Sequence, residues 1–434
     1  PIFSLIQAKG MMKMTQTSRH FLFLQGPVGP FFKQLGRHLQ RQSAPLGINV
    51  SRINFSGGDW VDWPNLFSPN VSNFTGTLEQ WPEWVRQYCT DRQVTDIVLF
   101  GDCRPYHQKA IKVAKSLGLH LHMFEEGYLR PQWITLEHDG VNGHSSIKSR
   151  FMEHSPDTLE QIDIESEQIG AVTTPMVLYV IKHYLGIMAF NCFFKHRFKH
   201  FTTHRKVAIG PELAAWLKLA PHRGRLLQRG EALMSAFLDK KPRFFLLPLQ
   251  LEYDAQVLFH SQYDDFEQFL NDIIQNFAQH APKDLQLVIK THPLDSHLKS
   301  WRNISKALLH RHELSERSLV LEGGHLPTLL DEAEGLVTLN STTGIQSIHH
   351  QCPTKVIGEA VYDVEGLTDQ QPLASFWHQP QKPVPKRYRE YFRFLIATCQ
   401  INGNYYNRRG RKLALDQKIV QFMMNPERSI ASKR

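Results

Sequence analysis

Cysteine is scarce in this chain. Cys89, Cys103, Cys192, Cys352 and Cys399 are scattered over 434 residues, odd in number and without a CxxC pair. That argues against a disulfide framework and a zinc ribbon, and suits a reducing compartment. Walker A, GxGxxG, HExxH and GxSxG patterns are missing, which removes the commonest NTPase, dinucleotide-binding, zinc-protease and serine-hydrolase readings. The DxD-like metal site of many sugar transferases is not evident either. The N-terminus lacks an initial Met and a long apolar run, so it does not read as a signal peptide. Residues 1–18 are set apart from the fold and expected to be disordered. Acidic residues disappear entirely between Gln168 and Pro211.

What is present is globular. Hydrophobic residues make up 41% and charged residues 21%, with 27 Phe and 8 Trp available for cores. The length suits two domains. The net charge of +9 favours anionic partners: nucleic acid, anionic lipid or phosphorylated substrates. No helix-turn-helix, zinc finger or RNP-like aromatic motif accompanies that charge, so nucleic acid is not the expected partner.

Apolar runs alternate with helical patterns. Phe21–Leu24 is followed by a Gly/Pro loop (25–30) and an amphipathic segment. Asp96–Phe100 leads through residues 101–105 into a helix at 107–117, and Leu119–Phe124 runs into Glu125-Glu126-Gly127. Strand–loop–helix alternation implies a parallel α/β sheet, with ligands at the carboxyl ends of its strands. A second such series runs from Phe244–Leu249 through 285–290, 319–321, 335–339 and 354–357. The expected architecture is two Rossmann-like domains, 19–235 and 240–380, with a helical tail over 381–434. Two such domains facing a cleft form the GT-B arrangement of many glycosyltransferases.

Residues 176–194 are mostly apolar, but Lys182 and His183 interrupt them, and a charge at mid-bilayer is costly. The following Lys195, Arg197, Lys199, Arg205 and Lys206, interleaved with aromatics, suit the surface of an anionic membrane. A buried helix pair with a solvated basic end is the alternative.

Three strand ends carry chemistry. Glu125 and Glu126 offer a base or nucleophile, and strand alternation would turn only one of them to the cleft. Lys290-Thr291-His292-Pro293 places an imidazole directly after a buried strand, where it can meet a phosphate or take a proton. Asn340, Ser341, Thr342 and Thr343 precede a helix, where hydroxyls and free N–H groups receive an anion or simply cap the helix. The spacing of His260 and Asp265 imitates a glycerolipid acyltransferase motif, but the downstream phosphate motif is missing.

Seven stretches, FLQGPVGPFFKQLGRHL (23–39), FEEGYLRPQWITLE (124–137), LPLQLEYDAQ (247–256), KTHPLD (290–295), GGHLPTLL (323–330), NSTTGIQSI (340–348) and VYDVEGLT (361–368), together resemble the KpsS-type β-Kdo transferases of capsular polysaccharide biosynthesis, relatives of the KpsC type. One GT-B unit of length argues against the two-module KpsC organisation.

The resemblance implies a retaining enzyme that moves β-Kdo from CMP-β-Kdo to phosphatidylglycerol or its lyso form, beginning a Gram-negative capsule linker. It needs no cofactor or metal and would sit in the cytoplasm, peripheral on the inner membrane, alongside other capsule biosynthesis or export proteins. Glu126 would be the nucleophile or, by the sialyltransferase analogy, the acceptor base. His292, Ser341, Thr342 and the helix start behind them would hold the CMP phosphate, Lys290, Pro293, Asn340 and Thr343 would complete the CMP-sugar site, and Leu326 and Pro327 would meet the base. Gln25, Gly26, Gly29, Arg130, Gln250 and Asp254 would surround donor sugar or acceptor. A Kdo-chain-extending or CMP-sialic-acid-type transferase, or a non-catalytic capsule-assembly scaffold, are the alternatives.

Overall fold

A computed structural model describes residues 18–425 except 43–46, 65–67, 139, 156–175, 204–208, 252–262, 264 and 296. The N-terminal extension, Asp254, His260, Arg205 and Lys206 lie outside the described residues.

The first sheet has seven strands: β1 (His20–Phe23), β2 (Asn49–Asn54), β3 (Val71–Asn73), β4 (Asp96–Phe100), β5 (His120–Glu126), β6 (Trp133–Glu137) and β12 (Gln400–Asn402). The second has five: β7 (Phe244–Pro248), β8 (Gln286–Lys290), β9 (Ser318–Leu321), β10 (Gly335–Thr338) and β11 (Thr354–Val356). Their spatial orders are β3-β2-β1-β4-β5-β6-β12 and β9-β8-β7-β10-β11. In each sheet the winding reverses beside the first strand, between β1 and β4 and between β7 and β10. A crevice opens at such a reversal, beyond the carboxyl ends of the strands. The two parallel-wound domains have the GT-B arrangement.

The central strands are buried on both faces, which is why FLF, IVL and FFLL read as unbroken apolar runs. The helix Phe31–Gln42 lays Phe31, Phe32, Leu35 and Leu39 on one face of the first sheet. The helix Phe266–His280 does the same for the second with Phe269, Leu270, Ile273 and Phe277. Asp265 caps that helix, its carboxylate accepting from the Glu267 N–H at 3.0 Å.

Two expectations need correction. The first sheet is not wholly parallel, because β6 runs antiparallel to β5, and β12 antiparallel to β6. Nor is the C-terminal stretch purely a helical tail. Its helix Pro385–Thr398 packs Tyr391, Phe394 and Leu395 against Tyr128, Trp133 and Phe151 of the first domain and Ile345, Ile348 and Tyr362 of the second. The chain then adds β12 to the first sheet and ends with Ile419 and Met423 beside Phe21 and Phe23. The last strand and helices therefore complete the core of the first domain, and the helix before them ties the two domains together beside the cleft.

Candidate active site

β5 ends with both Glu125 and Glu126 half-buried, and both line a cavity of about 160 Å³ between the domains. The expectation that alternation turns only one to the cleft does not hold: these are the last two residues of the strand, and both line the cavity. Glu125 Oε1 accepts from the Glu126 N–H at 3.0 Å. The Glu126 carboxylate accepts from the hydroxyl of Tyr406, just after β12. Burial and the neighbouring Glu126 charge hold the Tyr406 phenol well above its ordinary pKa, so it stays a neutral donor.

The opposite wall comes from the second domain. His292 follows β8, and its Nδ1 accepts from the Leu294 N–H at 3.0 Å. Burial, then the charges of Arg130 and Lys290, lower its pKa to about 4. The imidazole is therefore neutral at pH 7 with its proton on Nε2, a donor. Ser341, Thr342 and Thr343 stand beside it, with Ser341 Oγ accepting from the Thr343 N–H at 3.2 Å. The Tyr362 hydroxyl fixes the turn by donating to the Ser341 carbonyl, and a Cβ at Gly344 would collide with that hydroxyl. The helix behind the turn, Thr343–His349, spans only two turns, so the hydroxyls are its main offer to an anion.

Gln250 and Asn340 bridge the second winding reversal. Gln250 Nε2 donates to Asn340 Oδ1 at 3.0 Å, and the Asn340 N–H donates back to Gln250 Oε1 at 3.2 Å. Gln250 lines the cavity, and Asn340 is buried behind it. Arg130 lines the cavity and also a neighbouring groove of about 450 Å³, whose walls include Trp133, His349, Tyr388 and Phe392.

Several anticipated residues are elsewhere. Gln25 donates to Asp59 at 3.1 Å, and the Gly29 N–H donates to Asp62 at 3.1 Å. A Cβ at Gly29 would strike the Tyr179 hydroxyl. This Gly/Pro loop, Gly26 included, is thus filled by its own domain and does not line the cavity. Lys290 is buried under the β8 end, with a pKa lowered by burial, and Pro293 turns its carbonyl to the Arg223 guanidinium at 2.9 Å. Leu326 and Pro327 open the helix Leu326–Glu332 outside the cavity. Sequence reasoning passed over Tyr128, Asn142 and Tyr406. The Asn-Gly pair at 142–143 was the available signal for Asn142, since it marks a tight turn.

The fold is a pair of Rossmann-like α/β domains with the cavity between them. Residues 95–406 match the model described as capsule polysaccharide biosynthesis protein, and the chain belongs to that family. It is 33% identical to the capsule polysaccharide modification protein LipB of Neisseria meningitidis serogroup A over 402 residues, 92% of this chain and 94% of that one. It is 33% identical to the capsule polysaccharide export protein KpsS of Escherichia coli over 393 residues, 90% and 97% of the two chains. Among solved structures it is similar to the β-Kdo 2,7 transferase of Thermosulfurimonas dismutans KpsC, with a TM-score of 0.42 and 14% identity, covering 94% of this chain and 100% of that one.

Proposed function

We propose that the chain is a retaining glycosyltransferase moving β-Kdo from CMP-β-Kdo to phosphatidylglycerol or its lyso form, starting the poly-Kdo linker of a Gram-negative capsular polysaccharide. The observation that carries this reading is one cavity in which Glu125 and Glu126 face His292 and the hydroxyls of Ser341, Thr342 and Thr343. Membership of the capsule family supports the setting.

In this reading the Glu126 carboxylate attacks the anomeric carbon of the bound sugar. The bond to phosphate breaks, and CMP leaves with its electron pair. His292 Nε2–H and the hydroxyls donate to the phosphate oxygens as charge builds there, which is transition-state stabilisation by prepositioned donors. The acceptor hydroxyl then attacks the same carbon, the bond to Glu126 breaks, and the hydroxyl proton passes to Glu125. Two displacements restore the β configuration. Tyr406, donating to Glu126, orients the attacking oxygen.

The acceptor is an anionic lipid, so the enzyme works at the cytoplasmic face of the inner membrane, beside other capsule biosynthesis and export proteins. No described helix is long and apolar enough to cross a membrane. Contact is assigned to the helix Met176–Phe193 and the residues after it. One side of that helix docks on the first domain, where Asn191 accepts from the Gly58 N–H at 2.6 Å and Phe194 packs on Trp60. Leu185 (49% exposed) and Phe193 (81% exposed) stay uncovered, next to exposed Lys195 and Lys199.

The test is mass spectrometry of a reaction containing the protein, CMP-Kdo made in situ and fluorescent lyso-phosphatidylglycerol. One added Kdo, lost in Glu126→Ala and His292→Ala, is the expected result. Addition only to an acceptor already bearing Kdo would make it an extending enzyme. No addition to either would favour a scaffold or another donor sugar.

A further inference from the structure

Asn142 belongs to the cavity wall, yet nothing in the chemistry above uses it. It is only 8% exposed, and its side-chain amide has no hydrogen-bond partner among the described residues. The amide is not sealed away from solvent: it stays open to the cavity, where a ligand can meet it. Its backbone is unusual, at φ 58, in the left-handed region that Asn tolerates better than other side-chain-bearing residues.

The turn is held from several directions. Asp102 Oδ2 accepts from the Val141 N–H and from His144 Nδ1, each at 3.0 Å. The Asn142 N–H donates to the Tyr128 hydroxyl at 2.8 Å, and that hydroxyl donates to buried Glu137 at 2.7 Å. Glu137 also accepts from Ser145. Asp102, Tyr128 and Glu137 thus hold the turn, while the Asn142 amide makes no hydrogen bond among the described residues. A sparsely populated backbone state overdetermined by its surroundings is a feature of ligand sites.

We infer that Asn142 is a specificity residue whose side-chain amide grips a hydroxyl of the transferred sugar. An amide can donate to one side of a hydroxyl and accept from the other, which neither the carboxylates nor Arg130 can do alone. The sugar is the relevant moiety because the cavity lies between the proposed nucleophile and the phosphate-side donors. The inference rests on that reading of the cavity.

The decisive variant is Asn142→Gly, since glycine keeps the left-handed backbone and removes only the amide. Asn142→Asp keeps the shape but replaces the donor with an acceptor near Glu125 and Glu126. Wild type and variants would be compared for melting temperature, for CMP affinity, and for Kdo transfer from CMP-Kdo to fluorescent lyso-phosphatidylglycerol. Asn142→Gly is expected to melt with the wild type and bind CMP equally, while kcat/KM falls at least about tenfold. Asn142→Asp should fall at least as far. Equal loss of CMP affinity would mark a merely structural role and overturn the inference, as would undiminished transfer by Asn142→Gly. If the wild type transfers no Kdo to either a lipid or a Kdo-bearing acceptor, the reading beneath it falls and the inference falls with it.

Discussion

The hydroxyl of Tyr406 donates to the carboxylate of Glu126, across 280 residues of sequence. Tyr406 reaches that position because β12 pairs with β6, which itself pairs with β5. The Tyr405 hydroxyl holds the neighbouring backbone, donating to the Glu125 carbonyl at 2.9 Å. The C-terminal strand therefore delivers the group that orients the proposed nucleophile.

Tyr406→Phe keeps the ring and removes that one donor. A hydrogen bond to a charged group contributes about 1.5–3 kcal/mol, so kcat should fall roughly 10- to 100-fold. CMP affinity should stay at the wild-type value, because the nucleotide-side groups are untouched. Steady-state kinetics with CMP titration separate the two, and an unchanged kcat would remove Tyr406 from the mechanism.

His292 should act as a neutral donor. Gln reproduces a donor at the Nε2 position, so His292→Gln should retain more CMP affinity than His292→Ala. The pKa of about 4 lies below the ordinary 6.5 because burial, Arg130 and Lys290 all oppose the charge. As pH falls, the unfolded chain takes up this proton first, so stability is lost between pH 6.5 and 4. An NMR titration of the ring with a midpoint near 6.5 would refute the assignment.

Glu137 has the opposite sign. Burial raises its carboxyl to about 7 from 4.5, against the opposing bonds from Ser145 and Tyr128. The folded state holds this proton more tightly, so its contribution is full below pH 4.5 and is lost as pH rises through 7. The shift corresponds to roughly 3 kcal/mol over that window. Glu137→Gln keeps an acceptor for Tyr128, removes the titration, and should melt above the wild type at pH 8 relative to their difference at pH 4.5. Parallel melting curves at both pH values would show that Glu137 does not titrate there.

The sequence revealed the strands written as continuous apolar runs, since such a run needs no partner to be recognised. It hid β2 and β6, whose NVSRIN and WITLE mix polar and apolar residues although both strands are mostly buried, and the three-residue β3 and β12. Glu125, Glu126, His292 and the 341–343 hydroxyls were legible because each follows a clear strand directly. Tyr406 was not, because its place depends on a pairing between residues far apart in the chain. The Gly/Pro loop after β1 was legible as a place of close approach, but not what approaches it: glycine admits any neighbour, and at Gly29 the neighbour is Tyr179.

The membrane contact proposed for the helix Met176–Phe193 has apolar and basic contributions that can be tested apart. Phe193 is 81% exposed, and burying such a side chain yields about 1.5–3 kcal/mol. Phe193→Ser should therefore weaken binding to neutral and anionic vesicles alike. Lys195 and Lys199 are exposed, and each basic residue near an anionic surface contributes about 1 kcal/mol, roughly fivefold in partitioning. Neutralising both should weaken binding only to anionic vesicles, and the difference should vanish at high salt. Arg197 differs, because its guanidinium lies over the Trp60 ring, 5.9 Å from its centroid. Its removal should disturb the helix's docking as well as its charge. Vesicle co-sedimentation at two salt concentrations reads all of these, and unchanged binding of the Lys195/Lys199 variant to anionic vesicles would assign the basic cluster to something other than lipid.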